Sequence, residues 1–215
     1  MLHRDFLLRQ IEQFIRALLD ALGLLKSGSV EVARDRLARM ADEVVGLPLT
    51  LLRHMPEDQL MAMLRPASEF DSPRAFYIGQ LLYADALARE AEGVPEGQLR
   101  TALTLLLAAW DESDRFRIDP GAEAIDDLQH RLAGAVLPLP LLRALMTHEE
   151  QRGRFARAED RLFELLERGD PDAPAWGRAF LRRLLTRDDA DLKAGDLPRD
   201  EVEDALRVLE RRFPV

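Results

Sequence analysis

The sequence contains no cysteine, which excludes disulfide frameworks and thiolate metal sites and makes a reducing compartment, the cytoplasm, the expected setting. Lysine is almost missing as well: of 30 basic residues, all but Lys26 and Lys193 are arginine. Against 39 acids this leaves a net charge of −9. A chain this acidic lacks the cationic surplus that counterion release requires, so no nucleic-acid partner is expected. Long apolar runs are also absent. The stretch from Ala133 to Leu142 carries two prolines and is far shorter than the roughly 20 residues that cross a bilayer, so no membrane span is expected. The opening MLHRDFLLRQ is interrupted by His3, Arg4, Asp5 and Arg9 and has no cleavage-site pattern after it, which reads as part of the fold rather than a signal peptide.

Catalytic vocabulary is sparse. There is no glycine-rich phosphate loop, nucleophile elbow or paired-histidine zinc helix. His148, Glu149 and Glu150 begin like a metalloprotease helix, but Arg152 stands where the second histidine belongs. Asp188, Asp189 and Asp191 open like a cation loop that Leu192 and Lys193 do not continue, so a loop after a helix is expected there. The best remaining constellation is Glu123, Asp127 and His130, which share one helix face at i, i+4 and i+7 and supply an incomplete metal site. Ile125, Leu128 and Leu132 lie on the other side of that helix, which turns the acidic face toward water. Neither metal nor cofactor is therefore expected.

What is present is helical periodicity, with no sustained two-residue alternation. The first helix, Leu2 to Leu25, carries Leu7, Ile11, Phe14, Leu18, Leu22 and Leu25 on one stripe, and Leu8, Ile15 and Leu19 widen it enough to meet two neighbours. Acid-before-base pairs Asp5–Arg9 and Glu12–Arg16 are expected on its other face. A second helix carries Val30, Ala33, Leu37, Met40 and Val44 and stops at Gly46. Further helices are expected near 49–54, 56–64, 73–92, 96–110, 120–133, 139–152, 155–168, 171–186 and 199–212. Ser72-Pro73, Asp119-Pro120 and Asp170-Pro171 read as N-cap and first helical residue. Short loops favour antiparallel neighbours. The expected fold is all-α, about ten helices in antiparallel pairs stacked as a short solenoid or bundle, in one domain over 1–215 with a soft boundary near 111–121.

Three stretches share one spacing: Gly28-Val30-Ala33-Leu37, Gly97-Leu99-Ala102-Leu106 and Gly153-Phe155-Ala158-Leu162. Each reads as a helix hairpin in which glycine turns the corner, the next apolar residue plugs it, and alanine lets two axes approach. Here the chain resembles tetratricopeptide repeats, most clearly over HEEQRGRFARAEDRLFELLERGDP (148–171), although Glu149 replaces the large aromatic usual before the glycine. RQIEQFIRAL (9–18) and LKAGDLPRDEVEDAL (192–206) are similar to a bacterial family of small helical proteins of unknown function, a resemblance that implies a fold and no activity.

The leading expectation is a protein-binding scaffold without catalysis. In tetratricopeptide-like units the first helix of each pair lines a groove, which singles out Arg143, Thr147 and Glu150 as contacts for a protein or peptide partner. A helical metal-dependent enzyme using Glu123, Asp127 and His130, and a homodimer joined through the first helix, remain open. Arg178, Arg182, Arg183 and Arg187 give the penultimate helix a basic side, while residues 111–127 hold seven acids against two arginines. Such patches serve a partner or face one another within the fold. His54, Trp110 and Trp176 sit among apolar residues and are expected to pack.

Overall fold

Every regular element is helical among the residues that the computed structural model describes, 2–65, 69–112 and 119–214. The chain divides into two units, Met1–Ala135 and Val136–Val215. The first holds α1 (Leu2–Lys26), α2 (Val30–Met40), a π turn (Ala41–Val45), α3 (Leu49–His54), α4 (Glu57–Met63), α5 (Ser72–Ala88), a 3-10 turn (Glu90–Glu92), α6 (Glu96–Glu112) and α7 (Asp119–Arg131). The second holds α8 (Leu139–Gln151), α9 (Phe155–Glu167), α10 (Ala173–Leu185), α11 (Asp189–Ala194) and α12 (Arg199–Arg212).

In the first unit α5 is the hub. It is apolar nearly all round, as a helix enclosed by neighbours must be, and α1, α2, α3, α6 and α7 all pack on it. α1 buries Ile11, Phe14, Leu18 and Ala21 against α2 and α5, the two neighbours its broad stripe called for. Leu19 stays 49% exposed. The side chains of Asp5, Leu7 and Leu8 lie outside the described residues. Arg16 donates to the backbone carbonyl of Glu12 at 3.4 Å rather than to its carboxylate, so the expected ion pair is not formed. α5 crosses α6 closely enough that a Cβ on Gly79 would stand 2.8 Å from Leu106 Cγ; glycine here makes room for the neighbouring leucine.

The expected stripe of α2 fails at its end. Val44 is 40% exposed and Val45 is buried, because the helix closes with a π turn in which Gly46 N–H donates to Ala41 at 3.1 Å. One extra residue per turn advances the buried face by one position.

Phe14 meets Tyr77 at 4.5 Å between ring centroids, and Phe76 sits edge-on to both. Among the described residues the buried Tyr77 hydroxyl has no hydrogen-bond partner. Burial first, and then the charge of Asp71, push its pKa up to about 12. A buried hydroxyl without a partner costs about 1–3 kcal/mol. Tyr77→Phe is therefore expected to stabilise the protein by about 1 kcal/mol, read as a higher denaturation midpoint; an unchanged or lower midpoint contradicts the unpartnered hydroxyl.

The three repeated stretches are not equivalent. At Gly28 (φ +81) and Gly153 (φ +70) the chain turns a left-handed corner. The bonds there have the Schellman pattern, Ser29 N to Leu24 O (2.9 Å) with Gly28 N to Leu25 O (3.0 Å), and Arg154 N to Glu149 O (2.9 Å) with Gly153 N to Glu150 O (3.0 Å). Gly97 instead lies within the first turn of α6, and the left-handed glycine before that helix is Gly93. The alanine and leucine positions behave alike in all three: Ala33, Leu37, Ala102, Leu106, Ala158 and Leu162 are buried. The spacing thus marks buried faces three times and a corner twice.

In the second unit α8 packs on α9, and α10 on α9 and α12. Helix starts differ from expectation. α5 is capped by Asp71, which accepts from Arg74 N at 3.1 Å, so Ser72 is already helical. α10 begins at Ala173 after Asp172, and Asp170 lies in the turn before it. The cap position before Asp119 falls outside the described residues. Asp188 caps α11 through Asp191 N at 2.8 Å, where a loop was expected.

On α9, Glu159 is half-buried beside Asp160 and near Glu201. Burial, reinforced by those two charges, pushes its pKa up to about 7. The unfolded chain ionises near the ordinary 4.5, so stability falls as pH rises from there to about 7 and stays lower above it. Glu159→Gln is expected to melt higher than the unaltered protein at pH 8 and alike at pH 4. Equal melting temperatures at both pH values count against this assignment.

Candidate functional site

Arg143, Thr147 and Glu150 lie along one stripe of α8, and Arg143 and Glu150 reach Trp176 and Arg183 of α10. Arg143 donates through Nε and Nη2 to both Asp170 oxygens, each at 2.6 Å, and stands 3.4 Å from Asp172. Its guanidinium covers one face of Trp176, 4.4 Å from the ring centroid. Asp170 is buried and also accepts from Asp172 N at 3.0 Å. The hydrogen bonds from Arg143 hold its carboxyl below the ordinary range. One turn along, Thr147 is exposed. Glu150 then accepts two hydrogen bonds from Arg183, at 2.9 and 2.7 Å.

This arrangement gives an ordered surface rather than a pocket. Trp176 is 41% exposed, contrary to the packing expected of it, and Arg143 fixes its ring by cation–π contact. The other arginines of α10 and its C-terminal turn are engaged within the same unit. Arg178 donates to the Phe213 carbonyl at 2.9 Å, Arg182 pairs with Glu210 at 3.0 Å, and Arg187 lies over the Phe155 ring. The basic side is therefore engaged within its own unit, with Arg182 and Arg183 paired to carboxylates and Arg178 to a backbone carbonyl. The acidic segment 111–127 extends into residues not described.

Among the described residues the metal alternative finds no assembled ligands. Glu123 and His130 are exposed, while Asp127 accepts from Arg131 Nε at 2.5 Å and from the Tyr83 hydroxyl at 3.0 Å. Burial, then Asp127, raise the pKa of Tyr83. Ile125, Leu128 and Leu132 are buried on the opposite side of α7. Among the described residues no group of three or more His, Asp or Glu side chains is placed to hold a metal ion.

Two features of the first unit escaped the sequence reading. One is a mostly apolar groove of about 330 Å³ between α1, α5 and α7, lined by Leu18, Leu19, Leu22, Tyr83, Leu87 and Glu123 among others. The other is Asp85, whose side chain is 3% exposed. It accepts from Arg53 at 2.9 and 2.6 Å and from Gln98 Nε2 at 2.9 Å. A lone aspartate in an apolar helix is the sequence signal for such a pair, but nothing local tells which arginine answers it. His54, expected to pack, is exposed; Trp110 is buried.

An all-helical protein with an ordered aromatic surface, without an assembled metal centre among its described residues, is the class these observations define. The chain belongs to a family of unknown function, DUF6483, whose model matches residues 1–214. No curated protein and no solved structure matches it. Among the described residues no helix is long and apolar enough to cross a membrane.

Proposed function

We propose that this protein is a helical-repeat adaptor that binds a partner protein through the face shared by α8 and α10, without catalysis of its own. The observation that carries this reading is Trp176, 41% exposed yet clamped by Arg143. Large aromatics held in one orientation before binding are the residues that dominate interface energies. The corner at Gly153 and the placing of Arg143, Thr147 and Glu150 along one stripe support the tetratricopeptide-like comparison. Charges on the face are already paired, Arg143 with Asp170 and Glu150 with Arg183. A partner segment of low charge that lays an aliphatic or aromatic side chain on Trp176 suits it best. The lack of cysteine and the resemblance to bacterial proteins support a bacterial cytoplasm as the setting.

The test is affinity purification from the source lysate with the unaltered protein, Trp176→Ala and Thr147→Glu, all checked for helicity. Both altered residues are exposed, whereas Arg143→Glu would strand Asp170 and confuse folding with binding. A protein recovered by the unaltered chain is expected to fall about tenfold or more with each variant. Equal recovery by both variants rejects this face.

A homodimer through α1 is the second reading, favoured by Leu19 at 49% exposure beside the apolar groove. Light scattering separates the two: a mass of 24.4 kDa at micromolar concentration removes the dimer, while a doubled mass that Leu19→Glu halves supports it.

A further inference from the structure

α1 carries apolar residues on two adjoining faces, and its own unit covers one of them. Ile11, Phe14, Leu18 and Ala21 are buried against α2 and α5, whereas Leu19 is 49% exposed and Ile15 and Leu22 are half-buried. At about 100° per residue, Glu12, Ile15, Leu19, Leu22, Gly23 and Lys26 fall on a single face about 100° wide, next to the buried one. Ile15, Leu19, Leu22 and Lys26 follow one another at spacings of 4, 3 and 4, the rhythm of a seam between two helices. The groove of about 330 Å³ runs along the edge of this face, and Leu19, Leu22 and Lys26 belong to its lining.

Charge and size together select what covers it. Neither Glu12 nor Lys26 forms an ion pair among the described residues; the Glu12 backbone carbonyl, not its carboxylate, accepts from Arg16. Both side chains are exposed. A second α1 laid antiparallel brings Lys26 of each copy to Glu12 of the other, two equivalent pairs related by a two-fold axis. That pairing fixes the register, because residue 19 lies midway between residues 12 and 26: the most exposed leucine of the face meets its own copy on the axis. The same register sets Ile15 opposite Gly23 of the second copy. Gly23 is exposed, and a Cβ there would meet no atom within 4 Å, so it leaves a notch that admits a branched side chain. A parallel pairing through Leu19 sets Lys26 against Lys26 and Glu12 against Glu12, which repel, and aligns the two helix dipoles unfavourably.

We infer that two copies of this chain associate through antiparallel pairing of α1 about a two-fold axis at Leu19, with Ile15 seated at Gly23 and Glu12 paired with Lys26. The inference rests on the homodimer reading and adds a register to it; it is independent of the α8–α10 face.

Site-directed crosslinking of the full chain, combined with light scattering, tests it. The chain has no cysteine, so Leu19→Cys carries a single thiol. On oxidation it is expected to run as a covalent dimer on a non-reducing gel, since a disulfide forms only where the two Cα atoms come within about 7 Å. Gln13→Cys, exposed on α1 but outside this face, is expected to run as a single chain. Glu12→Lys turns both symmetry-related pairs repulsive and is expected to weaken dimerisation about tenfold or more. Glu12→Lys/Lys26→Glu is expected to restore it to within about threefold, which a merely structural effect of either exposed residue does not produce. A mass of 24.4 kDa for the unaltered chain at micromolar concentration overturns the homodimer reading and the register together. A doubled mass with no bridge in Leu19→Cys, an equal bridge in Gln13→Cys, or no recovery in the double reversal overturns the register alone.

Discussion

Gly195→Ala is expected to destabilise the second unit by about 3 kcal/mol, lowering its melting temperature by on the order of 15 °C. The backbone there is not the reason: Gly195 has φ −89°, open to any residue. Sterics are. A Cβ at this position would fall 2.5 Å from the Gly153 carbonyl oxygen and closer still to the Phe155 ring, which is buried. The Gly195 carbonyl also accepts from Ala156 N at 3.0 Å, satisfying a donor in the first turn of α9 that no helical carbonyl can reach. The end of α11 is thus seated in the corner between α8 and α9, and one methyl group forces them apart. Gly97→Ala is the control, since its Cβ meets open space in a helical residue; it should be neutral or stabilising by up to about 1 kcal/mol. If the two substitutions have equal effects in thermal melts, the seating of α11 is wrong.

The second large effect belongs to Arg53→Met. The Asp85 carboxylate would keep Gln98 Nε2 at 2.9 Å and Arg89 at 4.0 Å, and lose its two-bonded partner. Removing one member of a buried ion pair costs about 3–5 kcal/mol, mostly because the remaining charge stays out of water. Replacing both members often costs little. The double variant Arg53→Met/Asp85→Leu should therefore recover most of the loss in urea denaturation. A single variant within about 1 kcal/mol of the unaltered protein, or a double variant worse than the single, excludes this account.

Helices were legible because their signals are local. The α1 stripe, the α2 start and the cluster from α8 to α9 follow from period and corner glycines alone. What could not be read depends on neighbours distant in sequence. The π turn that exchanges Val44 for Val45 has no marker in a 3.6-residue pattern. Asp170 next to Pro171 looks like a cap, and only the approach of Arg143 from another helix turns it into a buried anchor. Trp176 reads as core by residue type; its exposure follows from how α10 faces α8. For the α8 stripe, the shared face of Arg143, Thr147 and Glu150 was readable from spacing, while the partners that occupy Arg143 and Glu150 were not.

The encirclement of α5 has an energetic meaning. In a linear array each hairpin touches only the next, and end units can fray one at a time. A helix gripped by α1, α2, α3, α6 and α7 leaves no such hierarchy, because releasing any of them uncovers the same apolar rod. Amide protons of α5 should exchange with deuterium only through global opening of the first unit, all with a common free energy, whereas the ends of α1 and α4 exchange sooner.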